Sequence, residues 1–319
     1  MTPHEKISEL RKIINQQLLP LFDSDFILLD CPYHKNLGDT LIWGGEINFY
    51  KQLKYKCLFF SDLCTFYKQS LSSKTIICLH GGGNFGDLWQ AQHTFKKKII
   101  ELYPNNRVII FPQTVWYEKQ ENIKKDEIFF ANHPNVTMCA RDKASFKFMQ
   151  EHFPQNKILI VPDMAFFIDF NKHATVHQKP TGRILFAKRT DKELKSDIWP
   201  EFIPQNAEVH DWPTIEFHAS KYQHADHIVN WLNYFANIKG IKPFNRLIDL
   251  MRAKFYRPQY IKDCINFINQ YDTIYSTRLH IAIASAMMGK TVYLMDNSYG
   301  KNFNFYDTWL TDMENIQSH

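Results

Sequence analysis

Three arginines and one histidine stand where polar loops would follow apolar runs: Arg141 in Ala-Arg-Asp, Arg189 in Lys-Arg-Thr-Asp-Lys-Glu, and Arg278 with His280 in Thr-Arg-Leu-His. A guanidinium captures a planar carboxylate or a phosphate through paired hydrogen bonds. An imidazole holds phosphate or donates a proton near neutral pH. Arg278 and His280 flank Leu279 at the mouth of an apolar run; in extended chain, residues two apart project to one side and could face one ligand. The plainer readings are salt bridges, Arg141 with Asp142 and Arg189 with Asp191 or Glu193, and a helix-entry histidine bonded to backbone.

The stretch "LHGGGNFGDLW" (Leu79 to Trp89) adds a bare backbone surface. Gly81, Gly83 and Gly86 match the dinucleotide spacing, but the next apolar run ends in Phe111-Pro112-Gln113, without the acid that would hold a ribose. His-Gly-Gly-Gly matches an esterase oxyanion loop, but the chain has no G-x-S-x-G elbow. A loop for another small anion remains, with Gly81, Gly82, Gly83 and Asn84 letting backbone approach the ligand. A tight strand-to-helix turn without ligand is the structural alternative. Asp87 would charge the start of the following helix.

These residues require elements to present them. Apolar runs at Phe26–Leu29, Cys57–Phe60, Thr75–Leu79, Val108–Phe111, Val136–Cys139, Ile158–Val161, Arg183–Ala187, Thr273–Tyr275 and Val292–Met295 read as strands, with helical patterns between several of them. This is the rhythm of parallel sheets covered on both faces. Eight of these strands, all but Cys57–Phe60, lead into polar loops, and in open parallel sheets the ligand lies outside those carboxyl ends. The polar stretch Asn171–Gly182 reads as a linker, giving an N-terminal domain over 1–172 and a C-terminal domain over 182–319. Phe303–Ile316 reads as a terminal helix that could return to the first domain. About 200–259 has no clear pattern.

Ile7, Leu10, Ile13, Ile14 and Leu18 give the N-terminus an amphipathic helix. The pattern of Thr40–Leu53 is also helical. Gly44 and Gly45 inside it would each cost about 1 kcal/mol relative to alanine, which close packing on the sheet could offset.

The 319 residues are 45% hydrophobic and 22% charged, enough apolar content for sizeable cores. A formal charge of +5 suits an anionic substrate or loose contact with an anionic membrane surface, and is too diffuse for nucleic acid. Lys96-Lys97-Lys98 and Lys124-Lys125 read as solvated helix faces. No apolar stretch is long enough for a membrane span. The six cysteines form no C-x-x-C pair and read as thiols of a reducing, cytoplasmic protein. No cluster has zinc-ligand spacing, and no metal is expected.

In chain order the landmarks are Asn36-Leu-Gly-Asp39, "HGGGNFGDLW", "FPQT", "ARD", "PD", "RTDKE", "TRLH" and "DNSYGKN". This ordered set resembles the polysaccharide pyruvyl transferase family from Asn36 to Asn302. It departs from the pattern at Cys31–Lys35, where many members carry a glycine-rich turn. The resemblance implies two Rossmann-like domains around a central cleft, similar to the B-type glycosyltransferases. It implies phosphoenolpyruvate as donor, no cofactor, and a pyruvate ketal formed on a sugar of a cell-surface polysaccharide, exo- or capsular, lipid-linked or polymeric.

Such chemistry needs cations for two anionic groups, a proton for the methylene carbon and a base for two hydroxyls. Arg278, Arg189 and Arg141 are then the anion ligands and His280 the general acid or the manager of the phosphate-side proton. Asn36 and Asp39 fall on the acceptor side, where Asp39 could take a hydroxyl proton or simply cap the helix. Asp163 could orient an arginine across the cleft or serve as an alternative acid. A B-type glycosyltransferase using a nucleotide sugar, and a non-enzymatic sugar-phosphate binder, are the competing readings.

Overall fold

The computed structural model describes residues 1–170, 180–216, 229, 231, 232, 234, 235 and 244–319. Seven parallel strands form the first sheet: β1 (Phe26–Leu29), β2 (Cys57–Ser61), β3 (Ile76–Leu79), β4 (Gly82–Gly86), β5 (Val108–Trp116), β6 (Val136–Ala140) and β7 (Lys157–Ile160). Their order is β2-β1-β3-β5-β6-β7, with β4 paired to the distal half of β5. The second sheet, also parallel, runs β12-β11-β10-β8-β9, from β8 (Ile184–Ala187), β9 (Glu208–His210), β10 (Thr273–Ser276), β11 (Thr291–Leu294) and β12 (Ile316–Ser318). β1 and β3 are buried throughout, as parallel strands covered by helices must be.

The strand order reverses between β1 and β3 in one sheet and between β8 and β10 in the other. Such switch points open a crevice at the strand ends. The loops leaving these four strands carry Asn36, Gly81, Arg189 and Arg278.

Among the described residues, nine α-helices of eight residues or more cover the sheets: α1 (Pro3–Leu18), α2 (Leu37–Tyr50), α3 (Gln90–Leu102), α4 (Gln120–Ala131), α5 (Lys143–His152), α6 (Phe244–Met251), α7 (Arg257–Ile268), α8 (Leu279–Met287) and α9 (Lys301–Trp309). A capping box of Thr2 and Glu5 starts α1, and Leu10, Ile14 and Leu18 seat it in the core. The glycines of α2 permit a close approach. A Cβ added at Gly45 would stand 1.7 Å from the Met164 carbonyl oxygen, and one at Gly44 2.7 Å from Ile261 Cδ1. The helix backbone therefore lies against the 3-10 turn Met164–Phe167, an approach that offsets the glycines' cost.

Several expectations need correction. The glycine stretch is neither a loop nor a strand-to-helix turn. Gly82, at φ +127°, redirects the chain into β4, which pairs Gly82 with Gln113, Phe85 with Val115 and Gly86 with Trp116. Pro112, Gln113 and Thr114 accordingly lie inside β5. Glycine disfavours strands intrinsically, so only the partner strand reveals β4. The last helix stops at Trp309, and Ile316–Ser318 adds an edge strand to β11. Helix α2 begins three residues early, with Asn36 as its N-cap; Asp39 lies inside its first turn. Asp87 accepts from the backbone N–H groups of Glu118 and Lys119 and from Asn122 Nδ2, so it serves the start of α4 rather than α3. Lys96 is buried, donating to Asp30 and, at 2.7 Å, to Asn84 Oδ1; only Lys98 of the triplet is exposed.

Of the linker segment, 171–179 lies outside the described residues. One continuous apolar cluster holds Leu10, Trp43 and Ile168 together with Ile261, Ile274 and Ile316, so the sheets share a core. Helix α9 reaches back to the first sheet: Trp309 Nε1 donates to the Arg141 carbonyl at 2.7 Å, and Phe305 stacks on Phe166. All six cysteines are free, and four are buried. Among the described residues no helix is long and apolar enough to cross a membrane.

Candidate functional site

The loops of both sheets line one cleft, which includes Asn36, Asp39, Gly83, Asn84, Arg141, Arg189, Arg278, His280 and Lys301. Arg278 and His280 reach it by a different route from strand alternation. β10 ends at Ser276; Arg278 is the N-cap of α8 and His280 lies in its first turn. Neighbouring starts of helices bring the halves together: a Cβ on Gly38 of α2 would stand 2.7 Å from His280 Nδ1.

Each cation is set by a carboxylate. Arg141 donates from Nη1 to Asp163 Oδ2 at 2.8 Å and from Nε to Thr114 Oγ1 at 2.8 Å. Asp142 instead caps α5 through Ser145 N. The Nη2 of Arg141 turns toward Gly83, where an added Cβ would come within 3.2 Å. Arg278 is gripped by Asp211 through Nε and, at 2.6 Å, Nη2, with Asp191 3.1 Å from Nη2. Arg189 takes the local pairing expected of it, Asp191 at 2.8 Å and Glu193 at 2.9 Å. It nonetheless lines the cleft.

Asp163 does not reach across the cleft to an arginine. Its arginine partner, Arg141, follows β6 of the same sheet; across the seam it meets His280, whose Nε2 is 3.3 Å from Asp163 Oδ2. Burial disfavours the charge, but His280 and Arg141 outweigh it and hold the carboxyl well below the usual range. Buried and ionised, Asp163 orients these two groups and is not poised to donate a proton.

Gly81 and Gly82 also take structural roles. The Gly81 N–H is already bonded to Glu46 Oε1 at 3.0 Å, and Gly82 is the buried kink. Gly83 and Asn84 line the cleft. Asn36 does two jobs: its Oδ1 accepts from Gly38 N at 3.1 Å and its Nδ2 donates to Asp39 Oδ2 at 2.8 Å. Asp39 is thereby fixed at the rim, with His34 Nε2 at 3.4 Å.

Lys301 and Asp211 join the site beside the residues named from the sequence, and Glu193, there a partner of Arg189, becomes a hub. Glu193 accepts from Lys301 Nζ at 2.5 Å, Arg189 at 2.9 Å, Asn297 Nδ2 at 3.1 Å and Tyr299 hydroxyl at 3.2 Å. Burial resists its ionisation, but Lys301 and Arg189 hold its carboxyl far below the usual range. Burial pushes Lys301 down to about 8; Glu193 opposes the shift and the neighbouring Arg189 and Arg141 add to it. Lys301 and Glu193 stand in "DNSYGKN" and "RTDKE", so the landmarks carried a signal for both. Asp211 follows the unforeseen β9 and had none.

Beyond Asp39 and Asn84 the cleft continues into a recess lined by Asp30, Tyr33, Asp62, His80 and Arg252. His80 Nδ1 lies 2.8 Å from the buried Glu46 carboxylate, and its Nε2 is buried without a hydrogen-bond partner among the described residues. Among the described residues, no three acidic, histidine or cysteine side chains are grouped to hold a metal ion.

Comparison with known proteins places this geometry. Residues 36–299 match the family model described as polysaccharide pyruvyl transferase. A Bacillus subtilis (strain 168) protein named as a pyruvyl transferase, EpsO, is 30% identical over 308 residues, spanning 96% of this chain and 90% of its own. Pyruvyl transferase 1 of Schizosaccharomyces pombe is 25% identical, over 89% of this chain and 69% of its own. The crystal structure of KP1_0663 from Klebsiella pneumoniae superposes with a TM-score of 0.66 at 20% identity, covering 98% of both chains. That likeness supports the α/β fold.

Proposed function

Because the chain belongs to the polysaccharide pyruvyl transferase family, we propose that it transfers the pyruvyl group of phosphoenolpyruvate to two hydroxyls of a saccharide. The product is a cyclic pyruvate ketal, and phosphate is released. The acceptor is a sugar of a cell-surface polysaccharide or of its lipid-linked precursor.

The observation that carries this reading is the convergence of Arg141, Arg189, Arg278, Lys301 and His280 on one cleft beside the side-chain-free backbone of Gly83. Phosphoenolpyruvate presents a phosphate and a carboxylate on a three-carbon frame. Four fixed cations match two anionic groups, and their carboxylate partners hold them in place before the ligand arrives.

In the reaction, the methylene carbon gains a proton as the first hydroxyl oxygen bonds to C2. The C2–O bond to phosphate then breaks and the second hydroxyl closes the ketal. Of the two hydroxyl protons lost, one balances the new methyl group and the other leaves on phosphate. His280, oriented by Asp163, is assigned the proton for the methylene carbon. Asp39, fixed by Asn36 at the rim, accepts a hydroxyl proton. The N-terminal half supplies the acceptor side and the C-terminal half most of the donor side.

The test is release of phosphate from phosphoenolpyruvate, dependent on a saccharide acceptor, with the ketal methyl group detected in the product. Turnover of a nucleotide sugar without phosphate release from phosphoenolpyruvate would replace this reading by a glycosyltransferase. Donor binding without any turnover would leave a binding protein.

A further inference from the structure

Helix α6 separates two environments. On its inner side Asn245, Ile248 and Asp249 are buried, and Ile248 and the following Arg252 line the recess next to Asp39 and Asn84. On its outer side Leu247 is 50% and Leu250 44% exposed, and Phe255, just beyond the helix, is 69% exposed. Residues Arg252–Tyr256 form a π turn. Phe255 is the exposed apolar residue of this turn.

The described helical residues 229, 231, 232, 234 and 235 repeat the arrangement. Val229 is buried and lines the same recess, whereas Trp231, Tyr234 and Phe235 are exposed. The rings of Trp231 and Phe235 lie 4.3 Å apart, centre to centre. Single exposed apolar residues are ordinary, but six large ones on two segments that wall one recess are not.

The charge of this region narrows the occupant. Of the cations of this region Lys254 and Lys262 are exposed, whereas Arg246 pairs with Asp249, Arg252 lines the recess and Arg257 lies over the Trp43 ring. A basic segment with an outward apolar and aromatic face has the composition of a helix lying in a membrane interface, where tryptophan and tyrosine sit at headgroup level. A second copy of the chain, related by a two-fold axis, would instead set Lys254 and Lys262 against their own counterparts.

We propose that the outer face of α6 and its π turn, with Trp231 and Phe235 beside it, docks on an anionic membrane surface. The inner face of the same helix then holds the recess within reach of a saccharide carried on that surface. The docking stands on the surface residues alone; the link to a saccharide rests on the transferase reading above.

The full chain is to be co-sedimented with phosphatidylcholine vesicles, with and without phosphatidylglycerol. Binding is expected to the anionic vesicles and to weaken with salt. The triple variant Leu247→Ser, Leu250→Ser, Phe255→Ser should lower the partition coefficient on the order of a hundredfold. Lys254→Glu should lower it by at least about fivefold. Phosphate release from phosphoenolpyruvate with a water-soluble acceptor should be unchanged in both variants. Wild-type protein that ignores anionic vesicles, or a triple variant that binds as well as wild type, overturns the proposal. So does a concentration-dependent dimer that the triple variant abolishes while no vesicle binding is seen; that result assigns the face to a second copy. Wild-type protein that binds vesicles but releases no phosphate would refute the transferase reading and leave the docking standing.

Discussion

His280 Nε2 lies 3.3 Å from Asp163 Oδ2, across the seam between two sheets and 117 residues apart in the chain. The separation is at the long end of hydrogen bonding, as contacts of a catalytic imidazole often are before substrate arrives. Asp163 is itself anchored by Arg141, so the imidazole meets a fixed anion. His280→Gln preserves much of the size but cannot act as an imidazolium acid. Donor binding is expected to persist in this variant while turnover falls about a hundred- to ten-thousand-fold. Turnover within about threefold of wild type would place the acid elsewhere.

Arg278 should be tested in two forms. Arg278→Ala leaves the buried Asp211 without its arginine, which costs about 3–5 kcal/mol of stability. Arg278→Lys keeps the charge but loses the planar fork. It is expected to remain folded and to bind phosphoenolpyruvate roughly ten- to a hundred-fold more weakly. The same loss is expected for Arg189→Ala. Calorimetry showing unchanged affinity in folded Arg278→Lys and Arg189→Ala would remove these arginines from the donor site.

Lys301 gives the site a pH dependence. Burial and the adjacent arginines bring its ammonium down to about 8. The charged form is the one that attracts an anionic donor, so donor affinity should fall as pH rises through about 8. Lys301→Arg should flatten that limb because guanidinium stays charged. A wild-type affinity that does not change between about pH 7 and 9 would count against the assignment.

Gly38 limits what may stand beside His280. Gly38→Ala would bring a methyl group to 2.7 Å from Nδ1 and must push the imidazole aside. Turnover should fall by at least about tenfold, since a displaced group of about 1 Å can cost a hundredfold. The melting temperature should change little beside that of Gly45→Ala, where the added carbon meets the fixed Met164 carbonyl and overpacking costs about 1–3 kcal/mol or more. Full activity in Gly38→Ala would mean that the His280 ring position is unimportant.

Away from the cleft, Asp126 accepts from His93 at 2.6 Å, Lys97 at 2.6 Å and the Tyr117 hydroxyl at 2.6 Å. Burial opposes its charge, yet these partners bring the carboxyl down to about 2. The folded value is below the unfolded one, near 3.9, so the stabilisation is complete above about pH 4 and is lost as pH falls through about 2. Its size is about 2–3 kcal/mol. Asp126→Asn should therefore destabilise the protein at neutral pH, with the difference shrinking in acid. Denaturant melts that show an equal deficit at pH 7 and in strong acid would refute this account.

Local pattern carried much of this protein. The runs that became β1, β3, β6 and β10 are apolar because both faces of a parallel strand are covered, and such runs are visible residue by residue. The loops and first helical turns that follow such runs carry the cleft residues Asn36, Asp39, Arg141, Arg189, Arg278 and His280. Their nearness to one another follows from sheet geometry, and all six line one cleft.

What local pattern could not contain is pairing between distant segments. Arg278 with Asp211, Lys301 with Glu193 and His280 with Asp163 are separated by 67, 108 and 117 residues. No periodicity links them, because their contact depends on how two sheets dock. The same reason hid β4: a run of glycines has no intrinsic reason to extend and does so only because β5 offers it a ladder of hydrogen bonds. Residue type determined which groups could do chemistry. Tertiary structure decided which carboxylate restrains each cation, and so why Asp163 orients its neighbours, Lys301 titrates early and Gly81 bonds to Glu46 instead of a ligand.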